Sequence, residues 1–179
     1  MSVASISHAI QSTDLFTAVR QSTLFYPIVL STHLTCIAIF GGMILITDLR
    51  LLGLALKSIP VGTVIESTRI WKRLGFVLMI TCGILLAGAH LDKYYANPYF
   101  QMKLSLLVLI GIHGLYFRGS VYKYPVDLDL EPALPLKAKL AGGISLILWL
   151  SVVICGRWIA YYDDPNAIAN LMRKLLHPV

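Results

Sequence analysis

Two histidines, His33 and His113, stand inside apolar stretches where an ionisable side chain is costly. Neutral imidazole is a common axial ligand of haem iron, and it also binds copper or relays protons. An ionisable residue in the hydrocarbon layer faces the interior of its bundle and marks function by default. Counted from one membrane side, His33 lies about 10 residues beyond Leu24 and His113 about 10 beyond Lys103, which at 1.5 Å per residue predicts roughly 15 Å of depth for both. Two imidazoles at one depth suggest one shared ligand, and a b-type haem between the first and third helices is the expected one. The alternative is that each imidazole hydrogen-bonds across helices, with Gly41, Gly42, Gly83, Gly111, Gly114, Gly142 and Gly143 as close-packing contacts rather than room for a macrocycle.

Other residues fit the same picture. Met79 and Trp149 come out near the depth of the histidine pair and are expected to line the macrocycle, although an apolar methionine is more often core packing. Lys103 and Arg157 lie towards the side of the termini, where cations would meet haem propionates; simple snorkelling to the interface is their other reading. His90, in the stretch His90-Leu91-Asp92-Lys93, reads as an interfacial histidine, with a surface metal site beside His8 and Asp92 as the sharper alternative. His8 and His177 are expected to be solvated. Cys36, Cys82 and Cys155 form no CxxC or CxxCH, so covalent haem and a thiolate zinc site are not supported. The sequence has no Walker loop, GxGxxG, HExxH or GxSxG.

The elements that must hold these residues are transmembrane helices. Of 179 residues, 57% are hydrophobic and 13% charged, too few charges to cover a soluble surface. Four apolar runs, at about 24–46, 74–89, 100–117 and 140–161, predict an all-α integral membrane bundle of four transmembrane helices in one domain, 1–179. Short interfacial helices are expected at 4–20 and 164–177, the second opened by Asp164 and Pro165. Residues 122–135, with three prolines and three acids, read as an irregular loop. The net charge of +6 sits in short loops, where lipid headgroups rather than nucleic acid are the counter-ions. Four spans put both termini on one side, side A. Nine of the fifteen lysines and arginines fall on the other, side B, which is therefore expected to be cytoplasmic, with the termini periplasmic.

Four motifs occur in order: HLTCIAIFGGMILITDLRLLG from His33, WKRLGFVLMITCGILLAG from Trp71, NPYFQMKLSLLVLIGIHGLYF from Asn97 and GRWIAYY from Gly156. Together they resemble an uncharacterised family of small bacterial membrane proteins. More distantly the chain is similar to the HemJ protoporphyrinogen oxidase and CopD copper-resistance families, with His33, Lys103 and His113 as the corresponding positions. Thr47-Asp48-Leu49-Arg50-Leu51 stands where HemJ-type sequences carry Leu-Pro-Arg-Leu. The resulting expectation is a cytochrome b-like protein of the bacterial inner membrane, carrying electrons to or from quinone or a partner subunit. A HemJ-like porphyrinogen oxidase is the enzyme alternative. A membrane anchor or assembly subunit, or a copper-handling protein, is the other; a homo-oligomer is compatible with all of them.

Overall fold

The computed structural model describes residues 3–130, 133–162 and 176. The chain begins with two short helices, α1 (Val3–Gln11) and α2 (Asp14–Gln21), followed by the long α3 (Phe25–Leu51) and α4 (Val61–Ala89). A single turn, α5 (Leu91–Tyr94), leads into α6 (Pro98–Phe117), which runs on as a π-helical turn (Arg118–Tyr122). A 3-10 strap (Pro125–Asp129) then precedes α7 (Leu136–Tyr162). The four long helices are apolar and long enough to cross a bilayer, so the chain is an all-α membrane bundle of four spans. The expected N-terminal interfacial helix is two helices, broken at Ser12 and Thr13, whose hydroxyls bond back to the carbonyls of Ala9 and Ile10. The expected helix at 164–177, and His177 with it, lies outside the described residues apart from Leu176.

The spans are longer than their apolar runs, and chiefly on side B. There α4 begins at Val61 rather than near Leu74, so Arg69, Lys72 and Arg73 are helical instead of lying in a loop. The reason is packing. Leu51, Val61, Ile65, Phe117, Val121 and Leu128 form one buried cluster with Ala138 and Ala141, which ties all four spans and the strap together at side B. The small residues of α7 let it lie close to α3. A Cβ on Gly142 would come within 2.9 Å of the Asp48 carbonyl oxygen and 3.0 Å of Leu51 Cβ. Between membrane helices, where lipid is as apolar as leucine, such close backbone contact is a principal source of association.

At side A, Asn97 is 1% exposed and closes the α5–α6 corner. Its side-chain oxygen caps the amides of Tyr99 and Phe100, Pro98 supplies the first helical residue, and its amide donates to the Ile159 carbonyl on α7. At side B the strap caps α4 from outside. The amides of Val61 and Gly62 donate to Asp129 Oδ1 and Oδ2 at 2.6 and 2.8 Å, placing a carboxylate on two unsatisfied donors at a helix N-terminus. A Cβ on Gly62 would press within 2.9 Å of Asp129 Oδ2 and 3.1 Å of Val126 Cα. Gly62→Ala and Asp129→Ala are therefore each expected to destabilise the protein by about 1–2 kcal/mol, the scale of a lost cap. Thermal unfolding in detergent should show a fall of a few degrees for each, with little added in the double variant because both break the same contact.

Candidate functional site

His33 faces α4. Its Nδ1 lies 2.9 Å from the Met79 carbonyl oxygen, and its ring rests against Gly83, where a Cβ would approach Cε1 to 3.2 Å. Because a carbonyl only accepts, Nδ1 carries the proton and Nε2 keeps its lone pair. Met79 is buried against Cys36 and Phe40, and Trp149 packs on that cluster with its ring edge-on to Phe40 at 5.1 Å. His113 faces α7 instead. Its Nε2 donates to the Ala141 carbonyl at 3.0 Å, and its ring packs on Phe117.

The structure does not bring the two histidines to one level. Ala141 and Gly142 are consecutive on α7, and Gly142 lies against Asp48, so His113 sits at the height of Asp48. His33 precedes Asp48 on α3 by about four turns, on the order of 22 Å of helix rise. The matched depth expected from counting fails because Lys103 does not mark the membrane edge: its charge acts on His33, so it stands near that residue's height and His113, further along α6, lies well beyond it. No single iron takes both imidazoles, and a haem shared between α3 and α6 does not fit this arrangement.

The remaining predicted residues scatter. Lys103 lies in the side A half, with its ammonium against Gly156 and its charge in reach of His33 and Cys155. Arg157 is exposed and turned along its own helix, with Nη2 donating to the Tyr161 hydroxyl at 3.1 Å. His90, outside the spans, sits edge-on to Tyr26. Burial holds it below the ordinary histidine range; Lys93 and Arg20 act in the same direction and Asp92 opposes them. Asp92 uses its backbone amide on the Gln11 side chain, and among the described residues no group of three or more His, Cys, Asp or Glu side chains is placed to share a metal ion.

What the structure does bring together is a polar cluster at side B that belongs to none of the chemical motifs considered above. Asp48 is 2% exposed, deep between α3 and α7, with the Ser145 side chain as a near neighbour. Its Oδ2 is buried without any hydrogen-bond partner, alone in this among the described residues. Across from it Lys72 donates to Thr47 Oγ1 at 3.1 Å rather than pairing with the carboxylate, and Thr47 passes a bond to the Met43 carbonyl. Tyr122, at the end of the π-helical turn, lies within electrostatic reach of Asp48, and its carbonyl is held by Arg69 at 3.2 Å. Single π turns are frequent at functional sites, where they re-aim a side chain. A signal for the cluster was present in the sequence: an aspartate within a transmembrane helix is rare and turns inward.

These groups line a cavity of about 300 Å³, walled also by His113, Trp149, Phe40 and Phe76. A second cavity of about 270 Å³ shares Phe76, Ile110 and Gly114 with it and continues along Ile80, Leu107, Gly111 and Leu115. Both exist because α4 and α6 barely touch, whereas the other neighbouring helix pairs pack closely. The result is a cleft with a polar, aromatic end at side B and an apolar end facing the bilayer.

The glycines divide accordingly. Gly142→Ala is expected to push α7 off α3 and cost about 1–3 kcal/mol through overpacking. Gly114→Ala, whose Cβ meets nothing within 4 Å, should leave thermal stability in detergent nearly unchanged. Equal losses in the two variants would contradict the cleft.

A family model described as a family of unknown function (DUF6644) matches residues 16–162. No curated protein and no solved structure matches the chain.

Proposed function

We propose that this chain, which belongs to the DUF6644 family of unknown function, binds a lipid-soluble ligand of the quinone class in the cleft between α4 and α6 and serves membrane electron transfer. The observation that carries this reading is the unsatisfied Asp48 Oδ2, fully buried at the polar end of a cleft whose other end is apolar and faces lipid. Buried polar groups in native proteins have partners, and an orphan in a cavity marks a place for a ligand atom. Charge narrows the class. A fatty acid or phospholipid phosphate would suit Lys72 and Arg73 but meets the Asp48 carboxyl, and an organic cation meets the two basic groups. A neutral ring that accepts hydrogen bonds when oxidised and also offers them when reduced brings no charge against either side, and Phe40, Phe76 and Trp149 give it flat apolar walls. A prenyl tail would follow the second cavity towards the bilayer midplane. Side B carries the basic residues and is cytoplasmic in this reading, with electrons passing between the bound head and a partner subunit.

Quinones quench indole fluorescence, so Trp149 is a built-in reporter. Titrating a short-tailed ubiquinone analogue into protein in nanodiscs is expected to give saturable quenching whose saturable part disappears in Trp149→Phe. Lys72→Met should weaken binding about tenfold, the scale of one charged hydrogen bond. Gly114→Leu, which fills the cleft from an open position, should abolish binding while thermal unfolding stays cooperative. Linear, unsaturable quenching by well-folded protein would defeat the proposal and favour an anchor or assembly role.

A second reading retains haem, on His33 alone. Its Nδ1–H bond to a backbone carbonyl leaves Nε2 free, the second-shell arrangement that orients ligating histidines. A reduced-minus-oxidised spectrum of protein made with ample haem separates this from the shared-haem expectation: any b-type band should vanish in His33→Ala and persist in His113→Ala. Loss in both variants would restore the shared site and contradict the depths given above.

A further inference from the structure

Among the polar groups around the head end of the cleft, Asp48 is distinct in its chemistry. Lys72 and the Tyr122 hydroxyl each bring N–H or O–H groups to donate, and His113 has spent its Nε2–H on Ala141 and accepts through Nδ1. A carboxyl group changes from acceptor to donor when it takes a proton. Asp48 Oδ2 lacks a partner in either state: as carboxylate it has no donor, and as acid its O–H has no acceptor. The missing partner decides which state is stable.

Building on the quinone-class reading, we propose that Asp48 is the proton-exchanging residue of the cleft. It donates as the neutral acid to the acceptor-only oxygen of an oxidised head, and accepts as the carboxylate from the hydroxyl of a reduced one. Binding therefore takes up a proton with the quinone and releases one with the quinol, by hydrogen bonding alone and without any covalent or redox step. The groups that face Asp48 or share its cavity are Lys72 and Arg73 from α4, with Arg69 behind Lys72, Tyr122 and His113 from α6 and its π turn, and the neutral Ser145 from α7. Towards side A the cluster meets the packed Phe40–Trp149 pair, which leaves side B as the nearer side for proton exchange.

The linkage gives opposite signs for the two forms. Affinity for the oxidised analogue should fall as pH rises through the titration of Asp48, by up to tenfold per pH unit. Affinity for the reduced analogue, measured under anaerobic conditions by displacement of the oxidised one, should rise over the same window. The native protein tests this directly, in nanodiscs of zwitterionic lipid between pH 5 and 9. A pH dye in weak buffer should register proton uptake on binding of the oxidised analogue and release on binding of the reduced one. Asp48→Asn should bind both forms with no pH dependence, and Asp48→Glu should restore opposite slopes. Slopes of the same sign for the two forms, no proton change in the native protein, or a slope that survives in Asp48→Asn would overturn the role of Asp48 while leaving the cleft reading intact. Absence of saturable binding at every pH would remove both.

Discussion

The contact on which the site depends is the approach of Gly142 to the Asp48 carbonyl. In water, burial of apolar surface would draw helices together whatever their small residues; in lipid that drive is absent and close backbone packing takes its place. Ala138, Ala141, Gly142 and Ser145 share one face of α7 and are all buried. Gly142 sets the distance, Ser145 one turn on meets the Asp48 carboxyl, and the Ala141 carbonyl receives His113. Three helices are placed by one short stripe. The same contact is what puts a carboxyl oxygen out of reach of water.

Tightness at side B has a counterpart in the looseness between α4 and α6. Their facing residues include Gly111 and Gly114, whose missing side chains are not filled by any neighbour, whereas at Gly142 the neighbour fills the gap. Glycine thus does two opposite things in one bundle: it closes α3 on α7 and opens α4 from α6. An opening between membrane helices costs packing, and the apolar walls of the second cavity are suited to lipid tails in its place. The cleft is in this sense continuous with the bilayer, and its polar end is a pocket in the bundle rather than in water.

The spans were legible because twenty apolar residues have few other uses, and Phe25–Leu51 and Leu136–Tyr162 fall close to where hydropathy puts them. Helix ends were not legible from hydropathy. Val61 to Arg73 carries Glu66, Arg69, Lys72 and Arg73 and reads as a polar loop, yet it is helical because Val61 and Ile65 reach the side B core and Asp129 caps it from across the chain. That error had a consequence for chemistry. Counting from Lys103 places His113 level with His33 only if Lys103 stands at the membrane edge, whereas its charge reaches His33 and His113 lies further along α6. Asp48 is visible in the sequence as an aspartate inside an apolar run. Its neighbours, Lys72 on α4 and Ser145 on α7, follow from helix rotation and crossing, which hydropathy does not specify.

The bundle therefore holds two polar stations rather than one. His33 and Lys103 occupy the side A half, and Asp48, Lys72 and His113 the side B end, with Phe40, Met79 and Trp149 packed between them. Water and protons need hydrogen-bonding groups to cross a membrane interior, and the side chains of this middle layer offer few of them, the Trp149 indole N–H and the weakly bonding Cys36 thiol. The separation of the two stations along the bundle is therefore also a separation in chemistry. It depends on His33 and His113 standing at different depths, the very feature that denies them a common iron.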